Sequence, residues 1–315
     1  MAYLRAVTRE SRFLRDVLAA GSLAASLLLF SCKQGGEATP AAKSSAPPQV
    51  EAFKQDVAWS PDGEWLAYSE YRGAGEYRPE GWAVHVVRAD GSAERVLVEN
   101  AFGVSWSPMG DRVAFGSGRD GDPEIYTIAA DGTDLRRVTQ RPGKDQLPAW
   151  SPDGSRIAFC SERDGNLDIF VVAPDGTGEA RVTSDPAKDY NPAWSRDGER
   201  IVFFRERGDG KDQIHSIGAD GKEERAITSD DANNIFPSFL PDGRIAFVSA
   251  RKGEKEKLVR VGSDGGGREV VAGVETFYAR WSPDGRRIAF VAGEWPRSSL
   301  LVAEANGGGA RRIAQ

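Results

Sequence analysis

Trp150-Ser151-Pro152-Asp153-Gly154-Ser155-Arg156-Ile157-Ala158-Phe159 is the stretch that decides the fold, because close copies of it begin at Trp59, Trp106, Trp194, Phe239 and Trp281. The six copies are spaced 42 to 47 residues apart. A period in that range marks repeated supersecondary units, most often propeller blades of four strands each. Downstream of the opening phrase the third copy continues with Arg163-Asp164-Gly165-Asn166, Asp168 to Val172, Asp175-Gly176 and Ala180-Arg181-Val182-Thr183. Pro presets φ at the second turn position, Asp tolerates the third, and Gly accepts the positive φ that returns the chain. Ser-Pro-Asp-Gly therefore joins strand a to strand b, and the two further Asp-Gly sites supply the b to c and c to d hairpins of a meander.

Strands b (Ile157 to Cys160) and c (Ile169 to Val172) are continuous apolar runs. Both faces of such a sheet must be covered, as they are when a blade packs between two others. The aromatic that opens each repeat is large enough to fill the wedge between blades. The repeats bend at Met109-Gly110-Asp111, at Arg196 in place of Pro, and at Phe239-Leu240. These are surface or conservative changes. The expected fold is all-β, a closed six-bladed β-propeller over residues 51–315, with closure protecting the sheet edges.

Pro148-Ala149-Trp150 and Pro192-Ala193-Trp194, with the phrases that follow them, resemble the TolB-type (WD-like) propeller repeat over about 260 of 315 residues. The resemblance implies a propeller and an envelope role among protein partners, but the same repeat occurs in protease propellers. TolB proteins carry an α/β domain before the propeller; about 50 residues precede it here, and they read as a targeting segment and linker.

Residues 1–16 carry Arg5, Arg9, Arg12 and Arg15 against Glu10 and Asp16, and an apolar run of 14 residues follows, Val17 to Phe30. That run is too short to span a bilayer and has the layout of a secretory signal. Leu29-Phe30-Ser31-Cys32 resembles the bacterial lipobox, which implies a signal peptide over 1–31, lipidation at Cys32 and a tether over 32–50. Lys33 to Val50 would reach roughly 25 Å as a flexible chain. With Lys33 after the cysteine, the resemblance favours the periplasmic side of the outer membrane.

The chain has a formal net charge of −6, leaving about −8 beyond the signal, and no basic block long enough to engage nucleic acid. Cys160 falls in strand b without a disulfide partner. His85 and His215 share one strand c column with apolar residues, which favours packing over metal ligation. Asp164-Gly165-Asn166 with Asp168, and Asp120-Gly121-Asp122 with Glu124, lack the late carboxylate of a calcium loop and read as turns. No Gly-x-Ser-x-Gly elbow or phosphate-binding glycine loop appears. No cofactor, metal or catalytic residue is expected, and a monomer is.

Binding is then assigned to the face that carries the d to a loops and the b to c hairpins, where the copies disagree. Its candidates are Tyr71, Arg72, Tyr77, Arg78 and Trp82 in blade one, Phe102 in blade two, and Asp145 with Gln146 in blade three. Asp189, Tyr190 and Asn191 in blade four, Asn234 and Phe236 in blade five, and Phe277, Tyr278 and Trp295 in blade six complete the set. Aromatics and arginines of this kind dominate binding hot spots. The leading expectation is a non-enzymatic, membrane-tethered envelope module that binds a protein or peptide. The alternative is a carbohydrate-active or metal-dependent enzyme using Asp145 and Asp189 as channel carboxylates.

Overall fold

The computed structural model describes residues 51–73, 81–294 and 297–314. Blade one is β1 (Glu51–Trp59), β2 (Trp65–Gly73), β3 (Trp82–Arg88) and β4 (Arg95–Glu99); blade two is β5 (Phe102–Trp106), β6 (Arg112–Ser117), β7 (Glu124–Ala129) and β8 (Arg136–Arg137). Blade three is β9 (Asp145–Trp150), β10 (Ile157–Ser161), β11 (Asp168–Val172) and β12 (Ala180–Arg181); blade four is β13 (Asp189–Trp194), β14 (Arg200–Arg205), β15 (Gln213–Gly218) and β16 (Arg225–Ala226). Blade five is β17 (Asn233–Phe239), β18 (Ile245–Ala250), β19 (Lys257–Val261) and β20 (Glu269–Val270); blade six is β21 (Tyr278–Trp281), β22 (Arg287–Glu294), β23 (Arg297–Glu304) and β24 (Arg311–Ala314). Each is a four-stranded antiparallel meander, so the protein is the six-bladed propeller expected from its repeat. Among the described residues no helix is long and apolar enough to cross a membrane.

The turn phrase closes on itself. Ser151 Oγ donates to Asp153 Oδ1 at 2.6 Å and accepts from the Arg156 amide at 2.9 Å, while the Ser155 amide donates to the same aspartate oxygen at 3.0 Å. These bonds hold the Asp153 carboxyl down at about 2. In blade two the aspartate has moved two places, and Ser107 Oγ donates to Asp111 at 2.6 Å instead. The closing threonine of the repeat has a parallel duty: the Ile125, Ile169 and Ile214 amides donate to Thr139, Thr183 and Thr228, at 2.9 to 3.0 Å.

Tyr68, Phe115, Phe159, Phe203, Phe247 and Phe290 occupy one strand b position and are almost wholly buried. Each packs against the preceding blade, as Phe115 does against Ala67, Val84 and Val86. Burial of one such ring contributes about 1.5–3 kcal/mol. A cation lies over five of the six rings: Lys54 over Tyr68, Arg119 over Phe115, Arg163 over Phe159, Arg205 over Phe203 and Arg268 over Phe247, at 5.4 to 5.6 Å from the centroids.

Ring closure uses the contacts of the other blade junctions, and among the described residues no strand is exchanged between blades one and six. Trp59 Nε1 donates to the Arg280 carbonyl at 3.0 Å, as Trp194 Nε1 does to Ala149. The c to d turn glycines show the same equivalence. Gly176, Gly221 and Gly265 sit so close to Val138, Val182 and Ile227 of the preceding blade that a Cβ would fall 2.3 to 3.1 Å from the carbonyl oxygen; across the seam Gly91 meets Ile313 at 3.2 Å. Lys54 adds a bond of its own there, its amide donating to Ser298 Oγ at 2.6 Å.

Candidate functional site

The innermost strands carry a β-bulge that sequence reading did not anticipate. Asp56, Gly103, Leu147, Asn191 and Phe236 occupy equivalent positions in blades one to five, all with φ between 49° and 63°, and the strand register slips at each. Bulges of this kind re-aim side chains. Here they help shape the floor of a cavity on the ring axis.

That cavity has a volume of about 580 Å³ and includes Pro61, Pro108, Pro152, Arg196, Pro241 and Pro283 of the six a to b turns in its wall. It is therefore a funnel whose mouth lies on the a to b turn face. The opening aromatics of all six repeats line it, and Asp56, Gly103, Leu147, Asn191 and Tyr278 reach it from the bulge level. Of its lining residues only Asp56, Arg196 and Arg280 carry formal charge. Burial pushes the Asp56 carboxyl up to about 6, against the opposing pull of Arg280, the Gly103 amide and Ser69. One of its oxygens, Oδ1, is buried without a hydrogen-bond partner.

Of the expected docking set, Asn191 and Tyr278 line the funnel; the other described members lie toward the opposite face and fare unevenly. Tyr71, Trp82, Asp145, Gln146, Asp189, Tyr190, Asn191, Asn234, Phe236 and Tyr278 are buried; Phe102 and Phe277 are half-buried, and Arg72 is exposed. Tyr77, Arg78 and Trp295, like Cys32 and the whole of 1–50, lie outside the described residues. The buried aromatics plug the ring. Phe53 stacks on Phe277 at 5.3 Å and Tyr71 tilts against Trp82 at 5.4 Å, while Tyr190, Phe204, Phe236 and Tyr278 form a chain of ring contacts from blade four to blade six. As they stand, their side chains belong to packing rather than to a surface.

The acidic members are tied into ion pairs. Asp189 accepts from Arg205 Nε and Nη2 at 2.7 and 2.9 Å, and Asp145 accepts from Arg163 Nη2 at 2.6 Å. Neither lines the funnel, so the paired channel carboxylates that a glycosidase-like reading requires are not formed by these two residues. Asp168 pairs with Arg181 at 2.5 Å and lies 3.4 Å from the Asn166 side-chain amide, while Asp164 turns the chain at φ 56°.

His85 and His215 do share a column, stacked on Tyr68 at 5.1 Å and Phe203 at 5.7 Å. Each also has a glutamate from the c to d turn beside it: His215 Nδ1 lies 3.0 Å from Glu224, and His85 Nδ1 lies 3.8 Å from Glu94. Glu70, His85 and Glu94 have side-chain atoms close enough to share a metal ion. Glu70, however, already accepts from Lys54 Nζ at 2.7 Å and from Arg72 Nε. Two cations thus balance the two glutamates, and a divalent ion would have to displace or face them. Blade one inverts the charge order of blade four: Lys54 stands where Asp189 does, and Glu70 where Arg205 does. Sequence reading missed this because it compared columns one at a time and not across strands a and b.

The family model described as the TolB beta propeller domain matches residues 55–277 and 190–315. The chain belongs to the TolB β-propeller family. Among curated proteins, the Tol-Pal system protein TolB of Anaeromyxobacter dehalogenans is 37% identical over 93 residues, 29% of this chain and 20% of that protein. The aligned stretch thus spans a fifth of that relative's length. Among solved structures, TolB from Acinetobacter baumannii superposes with a TM-score of 0.67 at 19% identity, over 85% of this chain and 64% of that one. An oligogalacturonate lyase in complex with manganese gives 0.61 at 15% identity, over 85% and 79%. At such identities the structural likenesses establish the fold alone.

Proposed function

We propose that this TolB-family propeller is a lipid-tethered, non-enzymatic interaction module of the bacterial cell envelope. A signal peptide over 1–31, an acylated Cys32 and a tether over 32–50 would hold it to the membrane, on the periplasmic side of the outer membrane, as a monomer. Family membership supports the envelope assignment, since the curated relatives it matches are Tol-Pal system proteins. The observation that carries the binding role is the open funnel, walled by five tryptophans, Phe239 and five turn prolines. Rigid apolar walls of this kind bury a partner's side chains at little cost in their own entropy. At the mouth, Met109 is 83% exposed where the repeat elsewhere has aspartate.

The opposite face is a second docking candidate. The b and c strands of blades one and six are longer than those of the other blades and flank the same seam. Among the described residues a partner there would meet Arg72, with the half-buried Phe102 and Phe277 at the edge. Two measurements test the proposal. Cys32→Ala should move the protein from the membrane pellet to the soluble periplasm. Met109→Asp with Pro152→Asp should reduce co-precipitation of envelope proteins from native membranes while leaving the melting temperature nearly unchanged. Retention of C32A in the membrane would refute the tether, and undiminished capture by the folded double variant would refute docking at the funnel.

A further inference from the structure

Two of the three charged groups in the funnel stand where the fold calls for something else. At the strand a position just before the opening aromatic, blades one to five carry Ala58, Ser105, Ala149, Ala193 and Ser238; blade six carries Arg280. At the second turn position five blades carry proline, and blade four carries Arg196. Small residues and proline suffice to build the ring, so neither guanidinium is explained by it.

Both arginines lean on blade five. Arg196 Nη1 donates to the Pro241 carbonyl at 3.4 Å, at the mouth. Arg280 Nη1 donates to the Ala279 and Phe236 carbonyls at 3.0 and 3.5 Å, deeper in, and its guanidinium carbon lies 4.2 Å from the centroid of the Tyr278 ring. Stacking fixes the plane of the guanidinium, and fixed planes are what carboxylate recognition needs. Among the described residues no acidic group lies within 4.0 Å of either arginine. Asp56 acts on Arg280 from a greater distance, and its own Oδ1 is buried without a hydrogen-bond partner. The protein as a whole is acidic, at −6, yet this funnel carries two guanidiniums against one carboxylate. Low-dielectric walls of tryptophan and proline strengthen such a local field.

We propose that the blade five side of the funnel is a carboxylate-binding subsite, with Arg280 as the anchoring group and Arg196 as the steering group at the mouth. The inference rests on the funnel being a binding site and adds what its occupant must bring. The carboxylate can come from a small organic acid or from an acidic side chain of a partner protein.

Tryptophan fluorescence of the full-length protein would be titrated at constant ionic strength with glutarate, its uncharged analogue glutaramide, and an acetylated, amidated pentaglutamate peptide. Saturable binding of glutarate or the peptide is expected, with glutaramide inert. Arg280→Met should weaken the charged probe by about 10–100-fold, the range for loss of charged hydrogen bonds. Arg280→Lys should recover part of that, and Arg196→Ala should cost less and flatten the salt dependence. Preference for glutarate would identify a small acid as the occupant, and preference for the peptide an acidic partner segment. Equal binding of glutarate and glutaramide, no saturable binding of either charged probe, or unchanged affinity in a folded R280M variant would overturn the proposal. Such failure would leave protein docking at the funnel standing, because capture from native membranes reads that separately.

Discussion

Removing the Glu70 carboxylate should destabilise the propeller more than any exposed substitution. Lys54 and Glu70 are both 0% exposed, 2.7 Å apart, on the face of blade one that packs against blade six. Glu70→Gln keeps the shape and one acceptor but removes the carboxylate in direct contact with the buried Lys54 ammonium. Breaking one side of a buried pair costs about 3–5 kcal/mol, because the orphaned charge has already lost its water. For a domain of this size that corresponds to a fall of roughly 6–20 °C in Tm. Urea and thermal unfolding followed by tryptophan fluorescence would measure it. Blade four supplies the control, since Asp189 and Arg205 make the same contact with the signs exchanged. Lys54→Asp with Glu70→Arg writes that pair into blade one and should recover most of the loss, a coupling that a double-mutant cycle resolves. A loss below about 1 kcal/mol for E70Q, or a double variant as unstable as the single one, would refute the argument.

Further predictions concern the floor and the rim. Burial raises the Asp56 carboxyl from 3.8 to about 6, so the folded state binds a proton more tightly than the unfolded one. Its contribution to stability is full below pH 4 and is lost as the pH rises through 6, by roughly 3 kcal/mol for a shift of about two units. Burial raises Asp145 and Asp189 to about 6 as well, so Asp56→Asn should make the decline in the pH dependence of unfolding shallower without abolishing it; an unchanged profile would show that Asp56 does not contribute. Gly265→Ala places a Cβ 2.3 Å from the Ile227 carbonyl at φ 86° and should cost at least about 2 kcal/mol, whereas Gly243→Ala, with open space around it at the same φ, should cost less. Equal losses in denaturant titrations would mean that the close blade-to-blade approach is not limiting.

Local chemistry made the scaffold legible. The Ser-Pro-Asp-Gly phrase, the apolar b and c strands and the aromatic column each act within a blade or against its nearest neighbour, and the repeat states them six times. The site was harder to read for two physical reasons. Loop position suggests exposure, but Tyr190, Phe236 and Tyr278 turn inward and fill the ring between the inner strands. The bulge at Leu147 and Phe236 puts large apolar residues at positive φ, where turn chemistry gives no signal. Ion pairs such as Asp145 with Arg163 join residues 18 apart, and only the a to b pairing brings them together. The copies also disagree at Met109, Arg196 and Arg280 on the a to b turn side, the positions on which the proposed funnel site rests.

The central claim, that the a to b turn face docks an envelope protein, is tested most directly by site-specific photo-crosslinking in intact cells. A photoreactive residue at Met109, on the funnel rim, is compared with one at Val270, exposed on the outermost strand of blade five. The account predicts a discrete adduct with one envelope protein from position 109, diminished by Arg280→Met, and none from position 270. No adduct from 109, or the same adduct from both positions, would contradict it.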